Sequence, residues 1–131
     1  MMPRAVRALG EVALRVNGLD RMQAFYSNVI GLELMRRFEH AAFFRIADGY
    51  AGHTAVIALF DRSSPAEQER STLDHLAFTI SREDYEPQKQ RLEALGLTVT
   101  TATHDWVRWR SIYVADPEGN TVEFVCFDPE V

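Results

Sequence analysis

Cysteine is almost absent from this chain of 131 residues, which has only Cys126. A single cysteine cannot form an internal disulfide, so a reducing, cytoplasmic setting is expected. Residues 1–10 contain no apolar core of the kind that a secretory signal needs. No stretch reaches the roughly 18 apolar residues of a membrane helix. We therefore expect neither a signal peptide nor a membrane span.

Positive charge is also in short supply. Fourteen Lys and Arg residues stand against nineteen Asp and Glu residues, for a formal net charge of −5, and the basic residues are scattered. This balance argues against nucleic acid or an anionic membrane as the main partner. Hydrophobic residues at 47% and charged residues at 25% exclude wholesale disorder. The length predicts a single domain, residues 1–131.

One pattern occurs twice along the chain. EVALRV at 11–16 and HLAFTI at 75–80 each begin with a polar residue and continue as a strand-like run. Each run leads into a helical pattern, with Asp20 or Ser81 as the predicted N-cap, and each helix stops at a Gly-Leu pair, 31–32 or 96–97. The residues predicted to face inward are Met22, Phe25, Tyr26 and Val29 in the first helix and Tyr85, Leu92 and Leu95 in the second.

Three further strand-like runs follow each helix, at 32–38, 41–47 and 53–60 and then at 97–102, 109–115 and 121–127. The repeat unit is therefore βαβββ with a period of roughly 65 residues, and one such unit cannot bury its sheet alone. We predict an α+β fold of two tandem βαβββ modules, forming a cupped, barrel-like mixed sheet with helices outside. Module one covers about residues 9–61, a linker about 62–71, and module two about 72–128.

Three side chains of types that can bind metal fall on the less apolar face of predicted strands: Glu11, His75 and Glu123. Side chains alternate across a strand, so Glu123 points away from the face of Val122 and Phe124. A carboxylate on a half-buried strand has a large desolvation cost unless it is paired or bound to metal. Metal coordination by the three residues removes that cost.

Each of these residues also has a simpler interpretation that needs no metal. His75 could be a hydrogen-bonded core histidine, Glu11 a solvated strand end, and Glu123 the partner of an arginine, Arg15 or Arg110. The remaining candidates have structural readings that we prefer: His40 and His53 lie beside loops and are expected to be exposed, and Cys126 falls on the apolar face of its strand as an inert thiol.

The repeated pattern and the motifs FYSNVIGLEL and DPEGNTVEF resemble the vicinal oxygen chelate superfamily from about residue 11 to residue 128. That superfamily includes glyoxalase I, extradiol ring-cleavage dioxygenases, methylmalonyl-CoA epimerase and the fosfomycin and bleomycin resistance proteins. The resemblance implies the paired βαβββ fold, with metal ligands on the first and last strands of each module. The matching positions are Glu11, where most members have His, then Ala58, which cannot bind metal, and then His75 and Glu123.

The second module resembles the extradiol dioxygenases most closely in motif. His104, Tyr113, the turn beginning at Asp116, and Glu123 follow one another at the spacing of that signature. The resemblance implies catalytic roles for two of them, with Tyr113 bonding a substrate hydroxyl and His104 polarising a bound diol. The acid-base histidine of such enzymes has no match, and Asp61 is the nearest substitute.

We therefore predict a small divalent-metal-dependent enzyme resembling extradiol dioxygenases, with a catecholic or vicinal-oxygen substrate. The resemblance implies Fe(II) as the first expectation for the metal and Mn(II) as the second. Three ligands would leave coordination positions open for substrate and O₂. Phe60, Trp106 and Trp109 would line an aromatic pocket, and a homodimer is expected. The alternatives are a glyoxalase I-like lyase or epimerase, and a metal-free protein that binds a small molecule such as an antibiotic.

Overall fold

The computed structural model describes residues 5–62 and 73–131. The predicted linker lies outside the described residues except for Arg62. The chain divides into two compact units, Met1–Gln68 (unit one) and Glu69–Val131 (unit two). That both belong to a single domain stays a prediction.

Unit one begins with strand β1 (Glu11–Val16) and helix α1 (Leu19–Ala24), which continues as a π-helical segment, Phe25–Ile30. Strands β2 (Glu33–Arg37), β3 (Ala41–Tyr50) and β4 (His53–Asp61) follow. The four strands form one sheet in the order β1-β4-β3-β2. β1 runs parallel to β4, and the other pairs are antiparallel.

Unit two repeats this arrangement. Strand β5 (His75–Thr79) leads through a 3₁₀ turn (Arg82–Asp84) into helix α2 (Tyr85–Ala94), and strands β6 (Thr100–His104), β7 (Trp109–Ala115) and β8 (Thr121–Phe127) follow. Their sheet has the order β5-β8-β7-β6 and is open, with β5 and β6 as its edges. The predicted α+β class and the two tandem βαβββ modules are confirmed.

Each helix packs its apolar side against its own sheet. In unit one, the Tyr26 ring lies edge-on to the Phe25 ring, with centroids 5.4 Å apart. It is tilted against the Phe44 ring on β3, with centroids 6.3 Å apart. The helix ends at Gly31 in the left-handed conformation, as the Gly-Leu pair predicts. In unit two, Tyr85 and Leu92 are buried, and the Tyr85 hydroxyl donates to the backbone oxygen of Ser111 at 3.1 Å. This bond joins α2 to β7.

Two local predictions were wrong. Asp20 does not cap α1: Gly18 holds the N-cap position, and Asp20 in the first turn pairs with Arg37 at 2.7 Å. Leu95 does not face the core but is 52% exposed, because it lies just beyond the last turn of α2. Ser81 does hold the N-cap position before the 3₁₀ turn, although its side chain makes no capping hydrogen bond.

Most strand bounds agree with the sequence pattern, and the largest difference is at β6. The pattern predicts a strand over 97–102, but β6 begins at Thr100 and ends at His104. Pairing with β7 sets these bounds, because Thr100 is opposite Tyr113 and His104 is opposite Trp109. In the described part of the chain, no helix is both long and apolar enough to cross a membrane.

Candidate metal centre

One face of the unit-two sheet carries polar side chains from all four strands. On β5, His75, Ala77 and Thr79 are exposed while Leu76 between them is buried, as the predicted alternation requires. Glu123 on β8 is opposite Ala77 on one side and Tyr113 of β7 on the other. The same face therefore presents His75, Glu123, Ser111, Tyr113 and His104.

His75 and Glu123 face each other directly. Nε2 of His75 is 3.1 Å from Oε1 of Glu123, whose side chain is 7% exposed, whereas that of His75 is 40% exposed. On the far side of the ring, Nδ1 of His75 lies 2.7 Å from Oδ2 of Asp74. The hydrogen bond with Asp74, and next the charge of Glu123, raise the pKa of His75 above its usual value of 6.5, against the effect of burial.

This geometry fits a cation between the two side chains. When the imidazole is neutral and its Nδ1 proton is donated to Asp74, Nε2 presents a lone pair to the carboxylate oxygen of Glu123. Two acceptors at this distance need a proton or a metal ion between them. A carboxylate that accepts the second ring proton is also the usual outer partner of a metal-binding histidine. The donor set therefore suits a divalent metal.

The other oxygen of Glu123 is held by a residue that the sequence analysis missed. Ser111, which is fully buried, donates its hydroxyl to Oε2 of Glu123 at 2.5 Å. The suggested alternative, pairing with Arg110, is wrong, because Arg110 stacks over the Tyr85 ring at 4.0 Å and contacts Asp128. A signal was present in the sequence: Ser111 precedes Tyr113 by two residues and so shares its face.

The two predicted catalytic residues contact each other. Nε2 of His104 is 3.3 Å from the hydroxyl of Tyr113, and the Tyr113 ring lies edge-on to His75 with ring centroids 6.5 Å apart. Tyr113 thus stands between His104 and the His75–Glu123 pair. The catalytic roles of both residues stay predictions.

No third ligand completes a metal-binding group among the described residues of unit two, 73–131. Glu11 belongs to unit one, where it is exposed at the start of β1 and pairs in register with Val56. Its role as the third ligand stays a prediction. Ala58 is fully buried and offers no ligand atom. Asp61, the suggested acid-base substitute, contacts the exposed His40 at 2.9 Å.

The three residues predicted to form an aromatic pocket belong to different units. In unit one, the Phe60 ring packs edge-on against the Phe43 ring, with centroids 5.7 Å apart. In unit two, the ring centroids of Trp106 and Trp109 lie 6.4 Å apart, and both side chains are exposed, Trp106 by 85%. The aromatic pocket stays a prediction. Cys126 is buried as predicted, and burial raises the pKa of its thiol.

Comparison with known proteins identifies the family. Residues 8–124 match the Glyoxalase/Bleomycin resistance protein/Dioxygenase superfamily, and the chain belongs to it. Over 119 residues the chain is 29% identical to the glutathione transferase FosA of Serratia marcescens, a match that covers 90% of this chain and 79% of FosA.

Two solved structures extend the comparison. A lactoylglutathione lyase from Agrobacterium tumefaciens has 27% identity and a TM-score of 0.73, over 94% of this chain and 96% of that chain. A mutant of the fosfomycin resistance protein FosX from Listeria monocytogenes, complexed with Mn(II) and 1S,2S-dihydroxypropylphosphonic acid, has 27% identity and a TM-score of 0.69, over 95% and 94%.

Proposed function

We propose that the protein is a divalent-metal-dependent enzyme of this superfamily that binds a small substrate through neighbouring oxygen atoms. His75 and Glu123 are the ligands from unit two, and the sequence predicts Glu11 as a third ligand. The observation that carries the proposal is the 3.1 Å approach of Nε2 of His75 to Oε1 of the buried Glu123. Such a carboxylate needs a positive partner, and an imidazole nitrogen beside it completes a metal-binding pair.

Transferase or lyase chemistry is the reaction class that we favour. It is supported by the similarity to a glutathione transferase, a lactoylglutathione lyase and a fosfomycin resistance protein. A ligand set that contains a carboxylate suits a hard ion, and a relative binds Mn(II), so we place Mn(II) before Fe(II). When bound, such an ion supplies a Lewis acid that withdraws charge from the substrate oxygens.

The residues around the metal ligands have separate tasks in this proposal. The hydroxyl of Tyr113 donates a hydrogen bond to a substrate oxygen and orients it. His104, whose Nε2 is 3.3 Å from that hydroxyl, gives or takes a proton at the Tyr113 oxygen. Asp74 keeps the His75 ring in the tautomer that leaves Nε2 free to bind metal.

Ring cleavage of a catechol is the second candidate, and one observation favours it. His104 and Tyr113 are in contact on the face of Glu123, as the extradiol motif implies. Oxygen uptake with catechol and the Fe(II)-loaded protein tests this candidate. Turnover of fosfomycin with glutathione, or of lactoylglutathione, by the Mn(II)-loaded protein tests the favoured class.

The metal site itself is tested by titrating Mn²⁺ into metal-free protein and measuring free Mn²⁺ by electron paramagnetic resonance. We expect the wild type to bind one ion per chain. His75→Ala and Glu123→Ala should each weaken binding by about 100-fold or more, because loss of a ligand exceeds the usual effect of losing an outer partner.

Thr79→Ala is the matched control, since Thr79 is an exposed residue on the same face of β5 as His75. It should bind Mn²⁺ as the wild type does. Equal affinity in the wild type and in both ligand variants would overturn the site. If a small ligand then bound equally well with and without chelator, the metal-free binding alternative would replace the enzyme proposal.

A further inference from the structure

We infer that Ser111 is a positioning residue that holds the carboxylate of Glu123 with Oε1 directed toward His75, where a metal would bind. The inference rests on the proposed function. Ser111 belongs to neither the metal ligands nor the predicted catalytic pair, and it acts through Glu123.

The two oxygens of Glu123 have different partners. Oε2 accepts the Ser111 hydroxyl at 2.5 Å, whereas Oε1 faces Nε2 of His75 at 3.1 Å. A hydrogen bond to a carboxylate is about twice as strong as one between neutral groups. Because Ser111 is fully buried and Glu123 is only 6% exposed, water has little access to replace this donor. The two ends of the carboxylate are therefore distinguished by the fold.

Strand pairing places the serine hydroxyl where this bond forms. Glu123 is opposite Tyr113, and Ser111 is opposite Val125, so Ser111 and Glu123 are diagonal neighbours on one face of β7 and β8. The backbone of Ser111 is itself held, because its carbonyl oxygen accepts the Tyr85 hydroxyl at 3.1 Å. Helix α2 thus fixes the strand position from which Ser111 reaches the carboxylate.

This bond limits how Glu123 can bind an ion. A carboxylate without a fixed donor offers either oxygen or both, and each arrangement requires a different position of the side chain. Because Oε2 accepts the Ser111 hydroxyl, the side chain is already oriented with Oε1 toward His75. Removing the hydroxyl leaves Oε2 buried without this donor and the carboxylate free to rotate. Outer partners of metal ligands typically contribute about 10–100-fold to metal affinity.

The experiment compares Ser111→Ala, Ser111→Cys and the control Thr79→Ala in Mn²⁺ titrations. We expect Ser111→Ala to lose about 10-fold in Mn²⁺ affinity, and Thr79→Ala to lose nothing. Ser111→Cys retains a side chain of similar shape with a weaker donor, so its affinity should fall between those of the wild type and Ser111→Ala. It also carries the test if the alanine variant does not fold.

Infrared difference spectra give a readout that a merely structural role would not move. In metal-free protein, the carboxylate stretching bands of Glu123, identified by their loss in Glu123→Gln, should shift in Ser111→Ala and stay in place in Thr79→Ala. Unshifted bands, or wild-type affinity in both Ser111 variants while His75→Ala has lost Mn²⁺, would overturn the role of Ser111 and leave the metal site standing. Retained Mn²⁺ binding in His75→Ala and Glu123→Ala would overturn the proposed function instead, whatever the bands of Ser111→Ala show.

Discussion

Glu123 is an acid in an apolar strand, and its two neighbours Val122 and Phe124 are buried with it. A carboxylate in such a place is tolerated only when its oxygens have partners. Here they have two, the hydroxyl of Ser111 and the imidazole of His75. Asp74 extends the chain of contacts by engaging the second nitrogen of His75. The acid is thus held in an ordered polar network that leaves Oε1 beside the imidazole nitrogen Nε2 of His75.

Glu11, like Ala58, departs from the ligand pattern that the resemblance implies, and replacing Glu11 tests the third ligand. If Glu11 binds metal, Glu11→His exchanges an anionic oxygen ligand for an imidazole, which suits Zn²⁺ better than Mn²⁺. We expect the ratio of Zn²⁺ to Mn²⁺ affinity to rise by about 10-fold or more in competition titrations.

Glu11→Gln is the companion variant, because it removes the charge and keeps the shape. It should weaken Mn²⁺ binding without favouring Zn²⁺. If Glu11 is only a solvated residue at the start of β1, both variants will retain the affinity and selectivity of the wild type. That result would remove Glu11 from the site and leave His75 and Glu123 as the ligands.

The β3–β4 hairpin depends on backbone conformations that ordinary residues rarely adopt. Its two-residue turn, Ala51 and Gly52, has positive φ at both positions, 53° and 85°, which is the pattern of a type I′ turn. Gly49 before the turn also has a positive φ, 76°, where the register between β3 and β4 shifts. A Cβ on Gly49 would overlap the backbone oxygen of His53 on the facing strand. The hairpin therefore requires glycine at this position.

Gly49→Ala should destabilise the protein by about 2 kcal/mol or more, because the overlap is with backbone and the strands must separate to relieve it. Gly52→Ala is the matched control: its φ is also positive, but a Cβ there would meet nothing within 4 Å. It should lose only about 1 kcal/mol, the cost of the left-handed conformation. Urea unfolding measures both, and equal losses would show that the contact with His53 is unimportant.

On the scale of the whole chain, Asp128 follows β8 directly and contacts two arginines. Arg82 lies in the turn before α2, and Arg110 lies on β7. The Asp128 carboxylate accepts the backbone amide of Glu130 at 3.0 Å and contacts Arg82 at 3.2 Å and Arg110 at 3.4 Å. The bond from Glu130, and then the two guanidinium groups, lower the pKa of Asp128 below 3.8 although burial acts to raise it. The ionised carboxylate therefore stabilises the folded state.

The sign of this pKa shift predicts how stability depends on pH. The contribution of Asp128 is present in full above its unfolded pKa of 3.8 and is lost as pH falls through the lower folded value. Asp128→Asn should therefore lower the thermal midpoint at pH 7, and the difference from the wild type should shrink steadily below pH 3.8.

Asp20→Asn provides the comparison, because it breaks an ion pair with Arg37 in which the Asp20 side chain is 92% exposed. Exposed ion pairs contribute little to stability, so the thermal midpoint of Asp20→Asn should stay near that of the wild type at pH 7 and at pH 2.5. A deficit in Asp128→Asn that stayed constant from pH 7 to pH 2.5 would mean that lost packing, and not the charge, is responsible.

The sequence by itself determined the repeated βαβββ pattern, because the features that carry it are local. Alternation places β1, β7 and β8 at the bounds that the structure has, and glycine ends both helices. The same alternation assigned Glu123 and His75 to the less apolar face, as residues i and i+2 share a face in any strand. The preference of Asp for the N-cap position did not predict the N-cap of α1, which is Gly18 and not Asp20.

Tertiary structure alone decided which side chains on that face meet. Ser111 and Glu123 are 12 residues apart in the chain, and the register of β7 against β8 makes them diagonal neighbours. The parallel pairing of β5 with β8 brings His75 to Oε1 of Glu123. Strand order and register are long-range properties of the sheet, so they set the polar network. The local pattern sets only the face on which each of its members lies.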